Sequence, residues 1–323
     1  MSEKPRVVTL GETMAVFQTP QDGRIEYTPS LIKTLAGAES NVAIGLTRLG
    51  IKTKWVSRLG MDPFGKYIQS TLKGEDVEVR VSIDKKSPTG IMFKEINGEQ
   101  DPNVYYYRQH SAASKWAEND ITEEIFQDAE LFHFTGITPA LSPESKNAIF
   151  QAITLAKRQG LKISFDPNMR YKLWSEEEAK ETFLQLVCLS DIVLPGLDEG
   201  ELITGETDPD KIAAKMLDLG PSCVVLKLGA EGAVSYTRSN EGHISKIYEE
   251  GIKVERVIDS VGAGDGFAAG FLSAYLENLE LRECLKRANA VGALVTQYRG
   301  DWENLATIEQ LNMYMAGRTS KSR

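Results

Sequence analysis

The chain has 323 residues, 41% of them hydrophobic and 26% charged, with 12 prolines spread along it. That is the composition of an ordinary globular protein and excludes a disordered or fibrous one. Its 37 basic against 46 acidic side chains give a formal net charge of −9, a global field that repels nucleic-acid backbones and anionic lipid, so neither partner is expected. Small anions stay accessible, because backbone N–H groups and a few local cations bind them against the overall sign. Cys188, Cys223 and Cys284 are widely separated, with no CxxC and no Cys/His spacing, so they predict reduced thiols and no zinc site. The N-terminal stretch lacks a basic region followed by an apolar block, and no apolar run approaches the roughly 18 residues of a membrane span. A cytoplasmic address is the expectation.

Along the chain, Arg6–Leu10, Lys54–Ser57, Leu131–Phe134, Lys162–Phe165, Ile192–Leu194 and Cys223–Lys227 are short apolar runs bounded by polar or turn residues, the pattern of buried strands. Amphipathic stretches such as Ser145–Gln159 and Glu176–Leu189 lie between them. Strand–helix alternation predicts a three-layer α/β/α fold with a mainly parallel sheet and ligands at the carboxyl ends of its strands. Two segments break the rhythm as hairpins: Glu12–Thr19 with Arg24–Thr28 around Asp22-Gly23, and Thr89–Ile96 with Val104–Arg108 around Asn97-Gly98. They predict a small β-sheet, roughly 12–36 and 88–112, lying over the main body either as a lid or as a plain extension. No repeat, low-complexity tract or linker interrupts the chain, so one domain over 1–323 is expected.

The most informative segment is Asp259-Ser-Val-Gly-Ala-Gly-Asp-Gly-Phe-Ala-Ala-Gly-Phe-Leu272. Phe267, Phe271, Leu272 and Tyr275 recur at helical spacing, so a glycine-rich turn opens directly into an apolar-faced helix. Gly262, Gly264 and Gly266 clear the approach, while the free N–H groups of the first turn and the positive helix end attract an anion. Asp265 in that turn is either a capping carboxylate or a general base beside a transferring phosphoryl group; capping alone does not require three glycines. A Walker loop is absent, and a dinucleotide fingerprint would lie in the first strand–helix unit with a further glycine.

These residues resemble the ribokinase-like (PfkB) carbohydrate kinases over nearly the whole chain. The family's N-terminal signature is matched by Ala36-Gly37-Ala38-Glu39-Ser40-Asn41-Val42-Ala43, with Gly50 and Gly60 following, and its C-terminal signature by Asp259–Leu272. The resemblance implies ATP and Mg²⁺, with Asp265 as base and Gly262, Ala263 and Gly264 cradling the phosphoryl group. It implies a sugar pocket with Gly37, Ser40 and Asn41, and a nucleotide site with Asn168, Lys227, Gly229, Gly232 and Asn289. Within the family the chain is similar to members acting on 2-keto-3-deoxygluconate. Tyr105-Tyr106-Tyr107-Arg108 looks like a lid strand that brings Tyr106, Tyr107 and Arg108 to the sugar acid, Arg170 closes the segment Phe165–Arg170, and Asp301 matches a substrate-proximal position. Two arginines suit a carboxylate, since a guanidinium binds one bidentately. Read without the resemblance, Arg108 is equally a solvated surface charge and the tyrosines one face of a sheet, and Arg170 can serve nucleotide phosphates.

Two positions depart from the family pattern. Gly196 stands where an Asn usually opens the Asn-x-x-Glu motif, leaving Glu199 as an indirect, water-mediated contact to the metal, and Met92 replaces a tyrosine. The missing amide keeps open a sugar-binding regulator without turnover, and a neutral ketose such as fructose remains the alternative substrate. Exposed lid strands predict a homo-oligomer, a dimer or larger.

Overall fold

The computed structural model describes residues 4–98, 100–239 and 242–317. The first half of the chain runs β1 (Val7–Leu10), β2 (Met14–Gln18), β3 (Ile32–Ala36), α1 (Ala38–Arg48), β4 (Thr53–Gly60), α2 (Pro63–Gly74), β5 (Glu78–Asp84), β6 (Ile91–Asn97), β7 (Gln100–Tyr107), β8 (Leu131–Thr135) and α3 (Pro143–Arg158). The second half continues with β9 (Lys162–Asp166), α4 (Glu176–Cys188), β10 (Ile192–Val193), α5 (Leu197–Thr204), α6 (Pro209–Asp218), β11 (Cys223–Lys227), β12 (Gly232–Arg238), β13 (Ile244–Glu250), α7 (Ala263–Leu276), α8 (Leu281–Val295) and α9 (Ile308–Met315).

Nine strands form the main sheet in the order β13-β12-β11-β10-β9-β8-β1-β4-β5. All neighbours are parallel except β11–β12 and β12–β13. Because successive strand residues point to opposite faces, Val8, Phe132, Phe134, Phe165 and Val224 pack against α3 to α6, whereas Val7, Leu131, Ile192 and Val225 pack against α1, α7 and α8. The fold is therefore the three-layer α/β/α arrangement with a mainly parallel sheet.

An aromatic run crosses the first of these layers: Phe126, Phe132, Phe134, Phe165, Phe183 and Trp174 stand in sequence with ring centroids 5.2–5.7 Å apart. It anchors β9 from below, and the next residue, Asp166, is turned by the pleat toward α7.

A separate four-stranded sheet has the order β3-β2-β6-β7. β6 and β7 form the hairpin expected around Asn97-Gly98, while β2 pairs with β6 in parallel and with β3 antiparallel. The hairpin expected at Arg24–Thr28 is corrected. Residues Ile25–Tyr27 form a 3₁₀ turn with none of them buried, and the partner of β2 is Ile32–Ala36, whose Leu35 and Ala36 supply the apolar burial that Arg24–Thr28 lacks. On the inner face of this sheet Met14, Val16, Ala36 and Met92 make a small core of their own.

Phe165 is fully buried between Phe134 and Phe183. Phe165→Ala should lower the unfolding free energy by about 3–5 kcal/mol in a denaturant titration, the range for opening an aromatic-sized cavity.

Candidate active site

The site is assembled by the crossing of α1 and α7. A Cβ on Gly45 would lie 2.7 Å from the Cβ of Ala269, so only glycine lets the two helices approach this closely. Asn41 and Asp265 each sit one turn earlier on their helices, and the crossing brings them together: Asn41 Nδ2 donates to Asp265 Oδ2 at 2.8 Å. The turn before α7 also depends on glycine. Gly262 has φ +79°, and a Cβ there would lie 2.3 Å from the Asp301 carbonyl oxygen.

Asp265 is 8% exposed, in the first turn of α7. Asn168, itself in the left-handed region at φ 42°, offers its amide to Asp265 Oδ1 at 3.4 Å. Burial lifts the Asp265 pKa from 3.8 to about 7; Asp166 and Glu39 push the same way, while the Asn41 hydrogen bond and Arg170 pull it back. A carboxylate so placed is matched to proton abstraction near neutral pH.

A cavity of about 470 Å³ opens above it. Gly37, Asn41, Met92, Tyr106, Arg108, Asn168, Arg170, Glu199, Lys227, Gly262, Gly264, Asp265 and Asp301 all line it, together with Glu12, Met14 and Lys94. Strands at their carboxyl ends, the start of α7 and the inner face of the small sheet converge there.

Most of the cavity's charge is internally matched. Lys227, at the end of β11, pairs with buried Asp166 through Nζ contacts of 2.9 and 2.7 Å, and its ammonium stands 4.0 Å from where a Gly264 side chain would begin. Glu199 is held by two backbone amides, Met169 N at 2.8 Å and Gly196 N at 2.7 Å. Arg108 is buried and donates through Nε to Glu12 Oε2 at 2.7 Å, with Ser111 Oγ on the other oxygen of Glu12. Lys94 lies between Asp259 and Asp301. Among the described residues Arg170 is the cavity cation with no carboxylate partner; its Nη1 reaches only its neighbour's carbonyl, Met169 O.

Other expected residues lie elsewhere. Strand alternation turns Tyr107 to the outer face of the small sheet, where it is 67% exposed and meets Phe93 edge-on. Ser40 is buried and donates to the Gly37 carbonyl, fixing the entry of α1. Ala263 forms the first residue of α7 without lining the cavity. Gly229 and Gly232, at φ 60° and 111°, shape the turn just beyond Lys227. Asn289 Nδ2 is committed to the carbonyls of Glu249 and Glu250 at 3.2 and 3.1 Å, tying α8 to the end of β13.

Five charged residues at or under the site were not singled out by sequence reasoning: Glu12, Glu39, Lys94, Asp166 and Asp259. Lys94 alternates with the inward Met92 on β6, and a lysine in that register was the available signal. Glu39 is fully buried beneath Asp265, its Oε1 accepting from Thr135 N, Thr135 Oγ1 and Thr138 Oγ1; its carboxylate fills the space that a side chain on Gly11 would need.

No group of three or more His, Cys, Asp or Glu side chains among the described residues is arranged to hold a metal by itself. No described helix is long and apolar enough to cross a membrane.

A glycine turn into a helix, a desolvated carboxylate in its first turn and a cavity roofed by a small sheet thus come together in one place. The pfkB family carbohydrate kinase model matches residues 4–308, and the chain belongs to that family. It is 42% identical over 314 residues to the 2-dehydro-3-deoxygluconokinase of Bacillus subtilis (strain 168), covering 96% of this chain and 95% of that protein. With the 2-dehydro-3-deoxygluconokinase of Thermoproteus tenax it shares 34% identity over 306 residues, 93% of this chain and 90% of the other. Among solved structures, a putative ribokinase II from E. coli in complex with ATP and Mg²⁺ superposes with a TM-score of 0.88 at 26% identity, covering 97% of this chain and all of that one.

The raised pKa of Asp265 has a consequence for stability. Between pH 3.8 and about 7 the unfolded chain has lost this proton while the folded one keeps it, so stability falls as pH rises through that window and the full cost is present above it. Asp265→Asn does not titrate. Its Tm should exceed that of the wild type most at pH 8, and the difference should shrink steadily toward pH 4.

Proposed function

We propose that this carbohydrate kinase transfers the γ-phosphoryl group of ATP to the primary hydroxyl of 2-keto-3-deoxygluconate. The observation that carries the chemistry is Asp265, buried at the N-terminal end of α7 with a pKa near 7. It accepts the hydroxyl proton as the substrate oxygen bonds to phosphorus; the bond from phosphorus to the bridging oxygen breaks, and ADP leaves with that electron pair. The N–H group of Gly264, reinforced by the helix dipole, holds the phosphoryl oxygens in flight, while Ala263, whose N–H donates to the Ser260 carbonyl at 3.2 Å, shapes the turn that presents it. Lys227, beside Gly264, adds positive charge on the nucleotide side.

The acid end of the sugar goes to Arg170, the cavity cation that forms no ion pair with a carboxylate among the described residues. Arg108, paired with Glu12, and Tyr106 line the same wall and position the chain of hydroxyls, with Asn41, Gly37 and Asp301. Two relatives that match most of the chain carry the name 2-dehydro-3-deoxygluconokinase, which supports the same substrate. Glu199 would hold Mg²⁺ indirectly, through a water, and the ion would supply neutralisation of the nucleotide's phosphate charge. That Glu199 is already oriented by Met169 N and Gly196 N supports this role without the family's usual asparagine.

In this reading the chain is one kinase domain, 1–323, and the segments 12–36 and 88–112 are its lid. Closing over Met14, Met92 and Tyr106 excludes water and suppresses wasted hydrolysis of ATP. On the lid's outer face Phe93 contacts both Phe17, itself packed against Phe64 of α2, and the exposed Tyr107, whose end of the row suits a second copy of the chain. Free Cys188, Cys223 and Cys284 fit a reducing, cytoplasmic setting where ATP is supplied.

A coupled ADP-release assay over 2-keto-3-deoxygluconate, other sugar acids and fructose tests the substrate: the keto-deoxy acid should give the highest kcat/KM, and a preference for fructose overturns the reading. Asp265→Asn should lower kcat by about 10²–10⁴-fold with KM nearly unchanged, and the wild-type rate should rise with pH along a limb centred at about 7. Arg170→Ala should raise KM for the sugar acid by about 10–100-fold, the loss of one charge-assisted contact, with little effect on a neutral analogue.

A further inference from the structure

Strand pairing sets the inner face of the small sheet in rows. Met14 stands opposite Ala36, and Val16 opposite Met92, which in turn stands opposite Tyr106. Met14, Ala36 and Met92 also line the cavity of about 470 Å³, each only 5–6% exposed. Gly90, just before β6, leaves room for the first of them: a Cβ there would lie 3.0 Å from Met14 Cγ. Charge begins where this apolar patch ends. Two residues beyond Met92 stands Lys94, paired with Asp259 and Asp301, and two residues before Met14 stands Glu12, bound by Arg108 and Ser111.

The patch has nothing to offer a hydroxyl. Ala36 carries no polar side-chain atom, and the two thioethers are weak acceptors without a donor. A hydroxyl pressed against them loses its water and gains no partner, whereas a methylene loses nothing and adds to the buried apolar area. Lys94 and Arg108, the long donors that flank the patch, are each engaged by carboxylates of the protein. Methionine chains are unbranched and adapt to the shape they cover, so two of them suit close contact with a small apolar group. The inner face of the sheet is therefore polar at both ends and apolar in the middle, a pattern that fits a sugar with one carbon stripped of oxygen.

We propose that Met14, Met92 and Ala36 form the specificity-determining surface for the deoxygenated carbon of the sugar acid: the methylene at carbon 3 lies against them, and an acid that carries a hydroxyl on that carbon is rejected. The inference rests on reading the substrate as a keto-deoxy acid, and it adds which side chains read the missing oxygen. The discrimination has a ceiling, since an apolar pocket rejects an added hydroxyl by about 10²-fold at most.

The test measures ADP release from wild type, Met92→Gln, Met14→Gln and Met92→Leu with two acids, 2-keto-3-deoxygluconate and 2-ketogluconate, which differ by the hydroxyl on carbon 3; Tm is recorded for each protein. Glutamine keeps the unbranched length of methionine and brings an amide that can pair with a hydroxyl, whereas leucine keeps the surface apolar. The wild type should favour the deoxy acid by about 10–100-fold in kcat/KM. Each glutamine variant should narrow that ratio by about tenfold, gaining on 2-ketogluconate while losing on the deoxy acid, the scale of one hydrogen bond restored to a buried hydroxyl. General damage to the lid lowers both rates together and leaves the ratio alone, and Met92→Leu should behave in that way. If Met92→Gln is unfolded, Met14→Gln on the neighbouring strand carries the same expectation. Equal kcat/KM for the two acids in the wild type, an unchanged ratio in a folded glutamine variant, or a Met92→Leu ratio shifted as far as that of Met92→Gln each overturns the proposal. A wild type that turns over neither acid but phosphorylates fructose overturns the sugar-acid reading instead.

Discussion

The structure turns on one unfavourable placement: a carboxylate kept out of water at the mouth of a helix. Asp265 owes its position to the close crossing of α1 and α7, where Gly45 meets Ala269 and sets Asn41 against it. The same crossing buries Glu39 directly below, so that two acidic groups share one poorly solvated region. The positive end of α7 favours the anion, yet burial wins and the carboxyl holds its proton to about pH 7. Its hydrogen-bond partners are amides, and the pull of Asn41 and Arg170 does not offset its burial, which leaves it basic enough to take a proton from an alcohol.

Around that carboxylate the chain arranges cations in matched sets. Lys227 is bound to Asp166, Arg108 to Glu12, and Lys94 to Asp259 and Asp301. Each pairing fixes a long side chain on a different wall of the cavity, so the walls are preorganised before any ligand arrives. Arg170 forms no ion pair with a carboxylate among the described residues, which leaves its guanidinium open to an anion. Glu199 is oriented by two backbone donors, Met169 N and Gly196 N.

Much of this architecture was legible in the sequence because it rests on local rules. The strands at Leu131, Lys162 and Cys223, the helices over Pro143–Arg158 and Glu176–Cys188, and the glycine turn into α7 follow from apolar periodicity and backbone sterics. Strands β5, β12 and β13 were harder: β5 and β13 are half-exposed strands at the two edges of the sheet, and β11 to β13 run antiparallel without intervening helices, so the strand–helix rhythm does not reveal them. The Arg24–Thr28 hairpin misled because Asp22-Gly23 signals a turn without saying which later strand closes on β2. Contacts between remote positions were out of reach. Arg108 finds Glu12 across 96 positions, and Lys94 finds Asp259 and Asp301 across 165 and 207; no pattern in the chain announces such a pair. Asn289, expected by resemblance near the nucleotide, donates its amide to the carbonyls of Glu249 and Glu250, another remote contact that the sequence does not announce.

The most direct test of the central claim is the ionisation of Asp265 itself, followed by carbon-13 NMR of labelled aspartate carboxyl groups across a pH titration, with Asp265→Asn identifying the resonance. The account predicts a midpoint at about 7. A midpoint near 4, the ordinary value for an aspartate in water, would show a solvated carboxylate at the start of α7 and contradict the assignment of Asp265 as the base.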